Sequence, residues 1–129
     1  MSDNIVKSFE AAADLSGKKY YAVGPSTGDK LCNLGGNGER LLGILINKPE
    51  SGEAAAVVVN GIVPAILGAS GLSQGDFLVS DTIGKLVQAA AADEYIIGML
   101  VDDGDTVSTD DVRDILITHM IAHAADTGM

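Results

Sequence analysis

The sequence predicts an all-β fold, a sandwich or small barrel, and three observations carry that prediction. Strand-length apolar runs follow one another closely along the chain. There are 16 glycines among 129 residues, many at the ends of those runs. One half of the chain also echoes the other at a fixed spacing.

The elements follow in order. Residues 20–23 and 30–32 are short apolar runs on either side of Pro25-Ser26-Thr27-Gly28, a turn signal. Residues 41–47 follow Gly35-Gly36-Asn37-Gly38 and begin Leu-Leu-Gly-Ile-Leu-Ile. Such a continuous apolar run suits a strand buried on both faces or lying in a closed barrel. Residues 55–60 and 62–66 are rich in Val and Ile and meet at the turn dipeptide Asn60-Gly61. Residues 76–79 and 85–88 form another short pair. Residues 95–101 return to a continuous apolar run, and 112–118 close the series after an acidic loop. Many short strands at this spacing make a sandwich or barrel. The body is therefore expected at 18–118, with residues 1–17 as an extended N-terminal arm and 119–129 as a short C-terminal tail.

The echo is specific. Thr27, Lys30, Leu31, Glu39, Gly43, Leu45 and Val57 recur without gaps as Thr82, Lys85, Leu86, Glu94, Gly98, Leu100 and Val112. Each half reads as a hairpin, a loop ending in Glu, a Gly-centred apolar strand, an acidic loop and a Val strand. A central Gly in such a strand marks a bend where a sheet curls. One bend per half predicts a barrel with a pseudo-twofold internal repeat.

Composition narrows the function. Apolar residues make up 47% of the chain, enough for a core, but aromatics are only 4% and Trp is absent. Deep aromatic-lined pockets are hard to build from that set. The net charge is −10. Up to Glu50 the charges cancel; beyond it only Lys85 and Arg113 oppose a long series of carboxylates. Such acidity argues against nucleic acid as a partner, since phosphate binding needs clustered Lys and Arg. It is compatible with a neutral N-terminal part facing a protein partner and an acidic part facing water. No signal peptide is expected from the first ten residues, and the most apolar stretch, 57–69, is broken by Asn60, Gly61 and Pro64.

Residue patterns that carry chemistry are few. Gly35-Gly36-Asn37-Gly38 lacks the Lys-Ser/Thr of a phosphate loop and reads as a turn. Gly68-Ala69-Ser70-Gly71 approaches a nucleophile elbow, but its second Gly falls one place early. His119 and His123 would share one face of a helical tail, yet no carboxylate accompanies them. Asp102, Asp103, Asp105, Asp110 and Asp111 form an acidic loop without calcium-loop spacing. Cys32 is alone and reads as a small buried residue. The expectation is no enzyme, no cofactor and no metal.

Several motifs in order resemble a known family. Residues 7–23 contain Asp14-Leu15-Ser16-Gly17 followed by Tyr20-Tyr21 and a short strand. Then come Leu42-Gly43-Ile44-Leu45, the loop Asn47-Lys48-Pro49-Glu50-Ser51-Gly52-Glu53, and a Val-rich strand to Gly61. A second round holds Ser80-Asp81, Gly84-Lys85 and Ile97-Gly98-Met99. Over about residues 5–118 this pattern is similar to phage capsid decoration or cement proteins (DUF2190-like). That resemblance implies a small β-barrel or β-clip-like domain, commonly a homotrimer, on the outer capsid surface. It implies the major capsid protein as partner, with neither nucleic acid nor membrane. The arm residues Ile5, Val6, Lys7 and Phe9 are then the expected capsid contacts, ordering when they dock. A head-fibre base or other virion β-module is the alternative, and a small-molecule or carbohydrate-binding barrel a third.

Overall fold

The structure is a computed structural model that describes residues 4–90, 94–102 and 107–121. Among the described residues there are ten strands and no helix. They are β1 (Ile5–Ala11), β2 (Ala22–Pro25), β3 (Leu31–Leu34), β4 (Gly43–Leu45), β5 (Ala54–Asn60), β6 (Ile62–Ile66), β7 (Phe77–Ser80), β8 (Leu86–Gln88), β9 (Tyr95–Leu100) and β10 (Val112–Ile121).

The first five strands close into a barrel in the order β1-β3-β2-β4-β5, with β1 returning to pair with β5. The last five form a sheet in the order β6-β10-β9-β7-β8. A single parallel bridge, Leu67 to Leu86, links the end of β6 to β8. Pair by pair the halves match. β1 meets β3 in parallel and β5 antiparallel, while β6 meets β8 through that parallel bridge and β10 antiparallel. The hairpins β2–β3 and β7–β8 also correspond, as do the pairs β2–β4 and β7–β9. The repeat legible in the sequence is thus a duplicated five-strand unit. Each copy curls on its own, rather than both sharing one barrel.

Register refines the alignment of the copies. Ala22 opposite Ile44 and Val23 opposite Gly43 reappear as Phe77 opposite Met99 and Leu78 opposite Gly98. Leu45 faces Val57, but Leu100 faces Ile115. The counterpart of Val57 is therefore Ile115, not Val112, because the acidic loop of the second copy is three residues longer. The ungapped echo ends at that loop.

The paired glycines have a common cause. A Cβ on Gly43 would fall on the carbonyl oxygen of Val58, and one on Gly98 would fall on that of Leu116. Val58 and Leu116 face Ile44 and Met99, so they too are counterparts. In both copies the fifth strand crosses the fourth too closely for any side chain.

Two apolar clusters fill the molecule. The first barrel encloses Ala11, Leu15, Val23, Cys32, Leu45, Ala55 and Val57. Their sequence neighbours Ala22, Ile44 and Val58 point the other way, into a larger cluster with Val63, Leu67, Leu78, Leu86, Ile97, Leu100 and Ile115 of the second copy. Strands β2, β4 and β5 are buried on both faces, which accounts for their unbroken apolar runs. Backbone bonds also join the copies. Ala22 N–H donates to the Gly84 carbonyl at 2.8 Å, and Ile66 N–H donates to that of Tyr20 at 3.0 Å.

Two expected boundaries move. Residues 5–11, expected in a free arm, are strand β1 of the barrel, with Phe9 and Ala11 against its core. The arm reading missed this because β1 borrows its apolar contacts from β5 and carries few of its own. At the other end β10 runs through Ile121, past the expected start of the tail at residue 119. A bulge between Ile117 and Met120, with His119 at φ +50°, lets the strand continue.

Replacing Gly43 or Gly98 by Ala should each destabilise the fold by about 2 kcal/mol or more, as overpacking against fixed backbone does. Gly17→Ala, where a Cβ meets nothing within 4 Å, is the control and should leave the denaturant midpoint close to wild type.

Candidate functional site

The groups that could carry chemistry are mostly engaged within the fold, and two of them, the Gly35–Gly38 segment and His119, join the two copies. Cys32 is fully buried, and burial pushes its thiol pKa up, so it stays protonated and unreactive. The Gly35–Gly38 segment is a joint: Gly38 N–H donates to the Ser80 carbonyl and the Gly38 carbonyl accepts from Tyr95 N–H. Ser70 lies in the loop after β6, where the adjacent Gly71 N–H donates to the Val107 carbonyl.

His119 is occupied elsewhere. Its Nε2 lies 2.9 Å from the Val59 carbonyl, which can only accept, so Nε2 carries the proton. Nδ1 then accepts from the Tyr95 hydroxyl at 2.7 Å. Val59 is the extra residue of a bulge in β5, facing the step from Ile5 to Val6. Arg40 completes the line with its guanidinium 5.7 Å from the centre of the Tyr95 ring. His119 thus stitches the second copy to the first from a strand, not from a helical tail. His123 lies outside the described residues.

The acidic loop has internal partners. Arg113 reaches Asp111 at 3.2 Å and Asp102 at 3.5 Å, and Lys85 reaches Asp110 at 2.6 Å. Both cations of the acidic half are used in these pairs. The Ser108 N–H donates to Asp111 at 2.9 Å. That bond, with Arg113 adding to it, holds the Asp111 carboxyl below its ordinary value. Asp103 and Asp105 lie outside the described residues. Among the described residues no three His, Cys, Asp or Glu side chains converge as a metal site would require.

What remains is the surface of β1. Ile5 and Val6 are 44% and 47% exposed, Lys7 is exposed, and Phe9 is half-buried against the first core. Backbone direction alternates along the strand. Ala11 N–H donates to the Glu53 carbonyl, on the β5 side, while Glu10 and Ala12 N–H donate to carbonyls of Lys30 and Cys32, on the β3 side. Val6 and Ser8 therefore point away from β5, toward the β3 side. The parallel pairing with β3 begins only at Glu10. On that outward side the backbone groups of Val6 and Ser8 have no hydrogen-bond partner among the described residues.

The matching edge in the second copy is closed. Register places Ile62 where Val6 stands, Pro64 where Ser8 stands and Ile66 where Glu10 stands. The Asn4 side chain accepts from Ile62 N–H at 3.0 Å and donates to the Ile62 carbonyl at 2.8 Å. Pro64 has no N–H, and Ile66 N–H is taken by Tyr20. Asn4 escaped the sequence reading because one Asn before a polar segment carries no pattern. Asn47, at the head of the Asn-Lys-Pro loop, has a role its place in that motif did not show: its amide clamps Ala54 and Ala56 across the β4–β5 loop at 3.0 Å each.

No family model matches the chain, and no curated protein sequence matches it. Among solved structures it is similar to the N base of head fiber gp8.5 of bacteriophage phi29. The TM-score is 0.69 over 93% of this chain and 99% of that one, at 14% sequence identity. A likeness at that identity establishes a common fold.

Asp111 supplies a pH test. Because its folded pKa lies below the ordinary 3.8, its contribution is complete above that value and lost as pH falls through the depressed one. Asp111→Asn should melt earlier than wild type at neutral pH. The gap should shrink as pH drops below 3.8, read from thermal unfolding at a series of pH values.

Proposed function

We propose that this chain is a virion structural protein. In this reading it binds the outer surface of an assembled tailed-phage head and, as a homotrimer, stabilises contacts between major capsid proteins. One observation carries it: the fold matches the base of a phage head fiber over nearly the full length of both chains. A base of that kind must be rigid and must present surface to a larger assembly. Two curled copies sharing one core supply the rigidity. The first copy, whose charges cancel up to Glu50, can approach a protein lattice with little self-repulsion while the acidic copy stays in water.

The same likeness favours a second reading, in which the chain seats a fibre on the head without reinforcing the shell. Both readings place the chain on the particle, and one experiment separates them. Heads made with and without the protein are purified, its copies per particle are counted by mass spectrometry, and the temperature of genome release is measured. Reinforcement predicts many copies and release at a higher temperature with the protein present. A fibre base predicts copies at a few positions per particle and unchanged release. Absence from washed heads would contradict both.

A further inference from the structure

The two copies were built alike and finished differently, and the difference lies at one strand edge. In β6 each outward backbone N–H is taken or absent: that of Ile62 goes to the Asn4 amide, Pro64 has none, and that of Ile66 goes to Tyr20. In β1 the corresponding outward groups of Val6 and Ser8 have no hydrogen-bond partner among the described residues, and only those of Glu10 are taken, by β3. An open edge is ordinarily an aggregation hazard, and this fold shows how it closes one. We infer that the β1 edge is left open as a strand-acceptor site, and that its occupant is an extended segment of the shell protein carrying a carboxylate opposite Lys7. The choice of the shell protein rests on the head-surface reading proposed above.

The geometry gives the site its extent. Val6 and Ser8 offer N–H and C=O groups spaced as an added strand would need them. Ile5 and Val6 are exposed on opposite faces of the strand, so an incoming segment gains apolar contact on both. At Ser8 the edge runs into a shallow groove of about 360 Å³, lined by Ser8 together with Phe9, Glu10, Asp29, Lys30 and Ala54. There β3 takes over the edge, which sets the end of the acceptor strand.

Charge selects the occupant. Lys7 has no ion pair among the described residues. A second copy of this chain is a poor fit. In the antiparallel register that uses both Val6 and Ser8, Lys7 would face Lys7, and like charges directly opposite oppose pairing. The net charge of −10 on each copy adds to that repulsion. A segment of another protein with Asp or Glu opposite Lys7 turns the same position into an attraction.

The second copy also supplies the test variant. Since Pro64 is accepted at the matching position, Ser8→Pro should fold, and it removes an N–H that no bond among the described residues uses. Wild type, Ser8→Pro and Lys7→Glu are compared for co-sedimentation with heads lacking the protein, alongside their melting temperatures. The inference predicts wild-type binding, about tenfold or greater weakening in each variant, and melting close to wild type. Should Ser8→Pro melt early, Lys7→Glu carries the test alone. Variants that bind as tightly as wild type would overturn the strand-acceptor site and leave the head-surface reading intact. Wild type that does not bind heads would overturn that reading, and with it the shell protein as occupant.

Discussion

Strands β2, β4 and β5 are buried on both faces, and the rest of the molecule is arranged around that constraint. One face of each fills the first barrel and the other packs on the second copy, so Ile44 and Leu45 lie in different clusters although they are adjacent. A strand buried twice has no room for polar groups on either side, and its backbone must be satisfied within the sheet. The close crossing at Gly43 serves this end, because it lets β5 lie over β4 while both keep their outer contacts. The second copy repeats the crossing at Gly98. Neither copy buries its apolar strands alone, and together they make one body.

Much of this was legible in the residues. Leu-Leu-Gly-Ile-Leu-Ile and Ile-Ile-Gly-Met-Leu-Val announce twice-buried, Gly-crossed strands, and their common spacing announces the duplication. Nine strands follow from apolar runs and turn residues. What escaped the residues depends on partners distant in sequence. β1 presents exposed side chains at four of its first five positions and owes its place to β5, some fifty residues on, so local pattern reads it as an arm. Ile115, not Val112, answers Val57 because a lengthened loop shifts the register, and strand composition is blind to such a shift. His119 looked like part of a tail because the bulge that carries β10 past Ile117 has no sequence mark.

The same contrast governs the candidate site. Ile5, Val6 and Lys7 stand out in the sequence as apolar and basic residues in a polar segment, but their meaning changes once they lie on a fixed strand. A flexible arm pays an ordering cost when it docks; a strand already held by β5 does not. Duplication supplies the internal comparison that gives the open edge its weight. With Asn4, Pro64 and Tyr20 closing the edge in one copy, the exposed backbone of Val6 and Ser8 in the other is a difference between equivalents.

Amide hydrogen exchange on the free protein tests most directly whether β1 is a held strand with one open side. The amides of Lys7, Phe9 and Ala11, directed at β5, should exchange only with opening of the barrel. Those of Val6 and Ser8 should exchange faster by orders of magnitude. Rapid exchange at all five would make the segment a loose arm, and equal protection at all five would mean that the edge is already covered.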